Sequence, residues 1–127
     1  MAAVYGATVE RRALVAVAVG GIVGACARWI VGEVVSDSVT ALLIVNTAGT
    51  ALLGAVLHGI LQSHATRNLL VGVGFCGGLT TFSTFAVEVA VRLDDGRPID
   101  GLGLTLASLV LGGAAFALGM ASRRFAS

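Results

Sequence analysis

The chain has 127 residues, of which 57% are hydrophobic and only 12% are charged, and its mean hydropathy is +0.97. Because a soluble domain carries about 25% charged residues, this composition leaves too few polar side chains to cover a water-exposed surface. The formal net charge is +1, so the sequence gives no indication of the basic face that nucleic-acid binding requires.

Four apolar stretches are long enough to span a bilayer, which takes roughly 20 mostly apolar residues. They cover residues 13–35, 39–61, 69–91 and 102–121, and short polar connectors separate them. The first stretch, with Arg11 and Arg12 before it and small residues at 25–27, also resembles a signal peptide. Its apolar character resumes after Arg28, however, so we predict an all-α membrane protein with one four-helix domain, 1–127.

Polar residues inside the first two stretches need partners or water. Arg28 lies well inside the first stretch, where a charge costs a few kcal/mol. It either reaches back to the interface beside Trp29 or faces a water-filled vestibule. In the second stretch, Asn46 and Thr50 share one helix face with Gly49. Contact between helices is favoured for Asn46, and contact with an ion is the alternative.

The third stretch has the most unusual composition. Four of the seven residues 72–78 are glycines, each weakening a helix by about 1 kcal/mol relative to alanine. We predict a helix broken near Gly77 and Gly78, with exposed backbone groups that bind a ligand. A kink used only for packing is the alternative.

Four hydroxyl residues follow the glycines within five positions, and two phenylalanines lie among them. Thr81, Phe85 and Glu88 fall on one helical stripe, with Phe82 on an adjacent line, and Thr84 is placed to reach Glu88. Since an aromatic ring has a positive edge, two rings turned edge-on suit an anion path, and core packing is the alternative. The fourth stretch carries Thr105, Ser108 and Gly112 in a weaker stripe, where hydroxyls usually bond to their own helix.

Three segments resemble signatures of the Fluc/CrcB family of fluoride channels. They read GGIVGACAR at residues 20–28, VNTAG at 45–49 and GFCGGLTTFSTF at 74–85. The resemblance implies a passive, fluoride-selective channel in the inner (plasma) membrane that exports fluoride and confers fluoride resistance. It also implies an antiparallel, dual-topology dimer with two pores, each built from both subunits.

The same resemblance implies roles for individual residues. A structural sodium ion on the two-fold axis would be bound by the backbone carbonyls of Gly77 and Thr80 of each chain. Arg28 would lie in the vestibule, and Glu88 would be the acid of the third helix. The pore would be lined by Asn46, Phe82, Ser83, Thr84, Phe85 and Ser108. One departure is Leu104, where some members of the family carry a tyrosine.

Two other functions are open to a chain of four short apolar helices. A small multidrug-type, proton-coupled exporter requires a carboxylate within the first helix, but Glu10 and Glu33 lie at its ends. A non-conducting structural subunit would not require the hydroxyl and phenylalanine cluster. We predict no enzyme, because the sequence has no nucleophile–base pair and no metal-ligand spacing.

The distribution of arginines decides how such a chain inserts. With four spans, one side carries five arginines and the other at most three: Arg11, Arg12, Arg67, Arg123 and Arg124 against Arg92, Arg97 and Arg28. We expect this modest difference to permit insertion in both directions and therefore an antiparallel homodimer. The alternative is an obligate pair with an oppositely oriented paralogue.

Overall fold

The computed structural model describes residues 11–63 and 65–122, so Glu10, Arg123 and Arg124 lie outside the described residues. Its helices form four segments that are long and apolar enough to cross a membrane, as predicted. We number them in chain order: α1 Arg11–Val34, α2 Ser38–Ser63, α3 residues 66–79, α4 Phe82–Asp94 and α5 Pro98–Ser122. Together α3 and α4 form the third span, which is interrupted between them.

The interruption lies at Thr80 and Thr81, three residues after the predicted position. Both have extended backbone angles, with ψ of 155° at Thr80 and 124° at Thr81. Gly77 and Gly78 are still helical. Upstream, Leu69–Cys76 forms a wider π-helical stretch, which the sequence analysis did not predict. The glycines therefore do not set the position of the break.

Close packing against α1 explains why several of these residues are glycines. A Cβ atom on Gly78 would stand 2.2 Å from the Gly21 carbonyl oxygen, and one on Gly24 would stand 2.2 Å from the Phe75 carbonyl oxygen. On Gly20 it would stand 2.1 Å from the Leu70 carbonyl oxygen. In a bilayer, small residues let helix backbones approach closely and gain dispersion energy. We call this α1–α3 contact, built on Gly20, Gly24, Gly74 and Gly78, the glycine seam.

Helices α2 and α5 form a second closely packed pair. A Cβ atom on Gly119 would lie 2.0 Å from the Ala51 carbonyl oxygen, and one on Gly54 would lie 2.3 Å from the Phe116 carbonyl oxygen. The bundle therefore consists of two tight helix pairs, α1–α3 and α2–α5. The broken third span runs past α2, so its interruption faces the side chains of that helix.

The α1–α2 turn and the α4–α5 turn lie at the same end of the bundle, and a local sequence feature explains each of them. Asp37 caps α2, because its carboxylate accepts hydrogen bonds from the hydroxyl and the backbone amide of Thr40. These bonds lower the pKa of the Asp37 carboxyl, which lies outside the spanning segments. The α4–α5 turn contains Gly96, whose φ of 70° favours glycine.

Candidate ion pathway

Asn46 of α2 holds the interruption of the third span. Its Nδ2 donates to the Thr81 carbonyl oxygen at 3.0 Å, and its Oδ1 accepts from the Thr81 amide at 2.8 Å. This contact between helices is the interpretation that the sequence favoured for Asn46. An asparagine amide has two N–H donors, and these two bonds use one of them. The second N–H is therefore not required for holding the break.

The bonds to Asn46 change which backbone hydrogen bonds form at the end of α3. In a continuous helix, the Thr81 amide would donate to the Gly77 carbonyl, four residues earlier. Here that amide donates to Asn46, whereas the Thr80 amide still reaches the Cys76 carbonyl at 3.0 Å. The Gly77 carbonyl thus loses its helical donor and becomes an acceptor for another group.

Arg28 of α1 turns inward to the same interruption. Its Nη1 donates to the Thr80 carbonyl oxygen at 3.0 Å, and the side chain is partly buried. It does not extend along the helix to the interface beside Trp29, which was one of the two sequence interpretations. A carbonyl oxygen has two lone pairs, so the Thr80 carbonyl retains acceptor capacity beyond this bond.

Helix α4 begins with a compact group of hydroxyls. The Thr81 Oγ1 accepts from the Thr84 amide at 3.3 Å and caps the helix, and it lies 3.1 Å from the Ser83 Oγ and 3.2 Å from the Thr84 Oγ1. The prediction that the Thr84 hydroxyl reaches Glu88 is wrong, because this hydroxyl accepts a hydrogen bond from the Thr81 hydroxyl and the Glu88 carboxylate bonds to other residues. Ser83 and Thr84 are nevertheless exposed beside the break.

A cavity of about 440 Å³ lies between α2, the third span and α5, and we call it the groove. Asn46, Phe82, Phe85 and Ser108, four of the six predicted pore residues, are among those that line it. Gly77 and Thr80, the predicted sodium ligands, line it as well. The fold thus brings residues from three of the four spans, the second, third and fourth, to one concave surface.

The two phenylalanines of the groove contact each other. Their ring centroids are 5.7 Å apart and the rings are tilted by 44°. Phe85 is half-buried, whereas Phe82 is 78% exposed next to the interruption. Both rings line the groove, and in this tilted arrangement neither ring face is fully covered by the other.

The two hydroxyls of α5 behave differently. Thr105 Oγ1 donates to the Gly101 carbonyl at 2.9 Å, the bond to its own helix that the sequence favoured. Within the part of the chain that the structure describes, the Ser108 Oγ is buried and has no hydrogen-bond partner. Because a buried hydroxyl without a partner costs about 1–3 kcal/mol, Ser108 is a candidate hydrogen-bond donor to a ligand in the groove. Leu104, at the position of the family tyrosine, is buried.

A second cavity of about 340 Å³ lies on the other side of the break. Arg28 and Glu33 line it together with Ser38 and Thr84. Thr81 lines both this cavity and the groove. Arg28 therefore lies at a cavity that meets the groove at the break, and its role in a water-filled vestibule stays a prediction.

Glu88 is bonded to residues that the sequence analysis did not single out. Arg92 Nη1 lies 2.6 Å from the Glu88 Oε2, and the Ser38 hydroxyl donates to the Oε1. The Glu88–Arg92 spacing of i, i+4 is a sequence signal that could have revealed the ion pair. No local signal could have revealed Ser38, because it lies 50 residues away on α2.

Comparison with known proteins identifies the family of this chain. A family model described as "CrcB-like protein, Camphor Resistance (CrcB)" matches residues 15–120. The "Fluoride-specific ion channel FluC 2" of Synechococcus sp. (strain CC9902) is 44% identical over 110 residues, covering 87% of this chain and 78% of the relative. The "Fluoride-specific ion channel FluC" of Bordetella petrii is 42% identical over 113 residues, covering 84% and 88%.

A third relative shows the same extent of similarity. The "Fluoride-specific ion channel FluC 2" of Rhodococcus jostii (strain RHA1) is 43% identical over 106 residues, covering 81% of this chain and 91% of the relative. The residues matched by the family model include most of each of the four spans and both sides of the break. The chain is therefore a multi-pass membrane protein that belongs to the CrcB-like family.

Proposed function

We propose that this chain is a passive fluoride channel of the plasma membrane that exports fluoride and thereby confers fluoride resistance. The observation that carries the proposal is the buried Ser108 hydroxyl, which has no hydrogen-bond partner among the described residues and lines the groove together with Phe82 and Phe85. The printed names of the relatives support fluoride as the ion. The ion would pass along the groove and cross the hydroxyl group at the break.

The chemistry of the groove suits a small, strongly hydrated anion. Leaving water is costly for such an ion unless donors replace its hydration shell. Ser108 supplies a hydroxyl, Asn46 its second N–H, and the phenylalanines their positive ring edges, all within a low-dielectric wall. The groove needs no energy source, because an interior-negative potential drives an anion outward with about 2.3 kcal/mol per 100 mV.

An antiparallel dimer would complete the path. The groove is open on one side, and Phe82, Ser83 and Thr84 are exposed at the middle of the third span. Exposed hydroxyls at this depth are costly in lipid, so we infer that a second chain covers them and adds its own residues to each pore. Antiparallel insertion allows two identical chains to present the same face to each other.

A structural sodium ion fits the interruption. The Gly77 carbonyl has lost its helical donor, and the Thr80 carbonyl keeps a lone pair beyond its bond to Arg28. Carbonyl oxygens are the ligands that hard cations prefer, and each chain would contribute two. The ion would supply fixed positive charge and tie the two breaks together. A density map should contain a peak with four carbonyl contacts of about 2.2–2.6 Å, the range of hard-cation oxygen distances.

Fluoride efflux from liposomes tests the function directly. Vesicles containing the purified chain, with a potassium ionophore to balance charge, should release fluoride and almost no chloride. Protein-free vesicles and vesicles loaded with each anion separately are the controls. Equal release of both anions, or release of neither, would contradict the proposal.

Insertion in both orientations is the remaining part of the proposal. Arg11, Arg12 and Arg67 lie at one end of the bundle, and Arg92 and Arg97 lie at the other, so the arginine bias is modest. Reporters fused to the chain ends should give signal from both sides of the membrane. Signal from the cytoplasmic side alone, with no flux from the chain by itself, would instead support an obligate pair with a paralogue.

A further inference from the structure

The Glu88 carboxylate lies just beyond the two phenylalanines of the groove and is held at both oxygens. It is three residues after Phe85 on α4, toward the end of the bundle where α2 begins. Arg92 Nη1 donates to its Oε2 at 2.6 Å and to the Glu88 carbonyl at 2.7 Å, and Ser38 donates to the Oε1. Less than a fifth of either charged side chain is exposed.

This end of the bundle is strongly acidic. Six of the seven acidic residues of the chain lie on or beside its two turns: Glu33, Asp37, Glu88, Asp94, Asp95 and Asp100. Arg97 is paired with Asp100 at 2.7 Å, and both side chains are about half exposed. An anion that passes Phe85 toward this end therefore approaches an excess of negative charge, with Glu88 the acid nearest to Phe85 along α4.

We propose that Arg92 is a positioning residue for anion passage, which keeps Glu88 from repelling the ion beyond Phe85. This inference rests on the proposed function. An unpaired carboxylate acts on a nearby anion as a full charge, whereas a carboxylate in contact with a guanidinium acts as a dipole whose field falls off faster. The other groups that act on Glu88 are Ser38 on α2 and Asp37 in the adjacent turn, and the latter is itself negative. Arg92 thus supplies the positive charge that compensates the Glu88 carboxylate.

The surroundings distinguish this pair from an ordinary surface salt bridge. Solvent and mobile ions screen exposed i, i+4 pairs, which contribute little. Here the pair is mostly buried, and Ser38 from another helix restricts the orientation of the carboxylate. The charge compensation is therefore local and persistent. The Arg97–Asp100 pair lies at the same end but is exposed, so it offers a matched control.

Single-channel fluoride currents in planar bilayers provide the test, because neutral HF carries no current. The variants are R92Q, R92K, E88Q, the double variant E88Q/R92Q, and R97Q as the control. We expect R92Q to conduct roughly tenfold less than the original chain at neutral pH, a size typical of charges that focus ions. In the E88Q background, the same R92Q change should alter conductance by less than about twofold.

Two further readouts separate charge compensation from a merely structural role. R92K keeps the positive charge and should retain most of the conductance. R92Q should regain conductance as the pH is lowered, because a Glu88 carboxyl that has taken up a proton carries no charge to repel the anion. R97Q and the original chain should show neither the loss nor this recovery.

The outcomes are distinguishable from failure of the proposed function. If the original chain conducts fluoride and R92Q lowers conductance equally with and without Glu88, Arg92 does not act through the carboxylate and the inference is wrong. Unchanged conductance in R92Q, with dimer assembly intact by size-exclusion chromatography, would also overturn it. If the original chain carries no fluoride current at all, the proposed function fails and this inference fails with it.

Discussion

Two adjacent residues, Gly77 and Gly78, belong to two regions of the molecule with opposite physical character. A Cβ atom on Gly78 would stand 2.2 Å from the Gly21 carbonyl oxygen, within the glycine seam. A Cβ atom on Gly77, which lines the groove, would have no neighbour within 4 Å among the described residues. Identical residue types in one short run thus serve close packing on one side of α3 and leave open space on the other.

The two regions also differ in how they are held together. The seam is made by backbones in contact, so it depends on the absence of side chains. The groove depends on a few polar atoms, chiefly the amide of Asn46 and the backbone of Thr81. Substitutions in the seam, and of Asn46, which bonds the Thr81 backbone, should therefore affect folding, whereas substitutions of the other groove side chains should affect ion passage. Four predictions test this separation, in order of decreasing expected effect.

The largest effect should come from Gly78→Ala. The added methyl group would overlap the backbone of α1, which cannot move without separating α1 from α3, so we expect destabilisation of about 3 kcal/mol or more. Gly113→Ala on α5, with no neighbour within 4 Å among the described residues, is the matched control and should be tolerated. Thermal unfolding followed by size-exclusion chromatography measures both. Equal stability of the two variants would contradict the claim that close packing in the glycine seam requires glycine at position 78.

Asn46→Leu should have the second largest effect. The substitution keeps the branched shape of the side chain but leaves the amide and the carbonyl of Thr81 without their partner, at a cost of about 2 kcal/mol or more. Thr50→Val, on the same helix face, removes a hydroxyl that bonds only to carbonyls of its own helix, so it should cost less than about 1 kcal/mol. Denaturation in detergent compares the two. A small effect for Asn46→Leu would mean that the break forms without the two hydrogen bonds between Asn46 and Thr81.

Phe82→Ile and Phe85→Ile should lower fluoride flux with little effect on assembly. Each removes a positive ring edge from the groove, and loss of roughly 1.4 kcal/mol of stabilisation would reduce flux about tenfold. Phe116→Ile, on α5 and outside the groove, is the control and should conduct normally. Liposome efflux measures all three variants. Normal flux in both groove variants would show that the two rings serve only packing.

The smallest effect on stability should come from Ser108→Ala. Removal of a buried hydroxyl that has no partner among the described residues should leave the free energy of unfolding unchanged or raise it. Fluoride flux should nevertheless fall several-fold, because the hydroxyl would be a donor to the ion. Thr105→Val removes a hydroxyl bonded to its own helix and should leave flux unchanged. Equal flux in the two variants would remove Ser108 from the path.

Much of the fold was predictable because its determinants are local. Hydropathy and length located the four spans to within a few residues, except that the fourth helix begins at Pro98, ahead of the predicted 102. Glycine content correctly indicated an irregular third span. It did not locate the break, because glycine marks both flexible backbone and close helix contact, and composition does not distinguish these two causes.

The candidate site was predictable in composition but not in its bonds. The sequence and its family resemblance singled out Asn46, Arg28, the two phenylalanines and Ser108 as candidate site residues. The sequence left open which partner each would choose, because those partners lie 35 and 52 residues away for Asn46 and Arg28. It did not identify Ser38 as a partner of Glu88, since nothing near Ser38 in the chain signals a distant carboxylate.

The sequence by itself determined the class of protein, four apolar helices with a polar and glycine-rich third span, because spanning a bilayer constrains every residue of a helix locally. The tertiary structure alone decided where that span breaks. The break lies at Thr81 because Asn46, on another helix, supplies the donor and the acceptor that replace its helical hydrogen bonds. A backbone group in an apolar environment must be paired, and only the packing of the helices decides which group is close enough to pair with it.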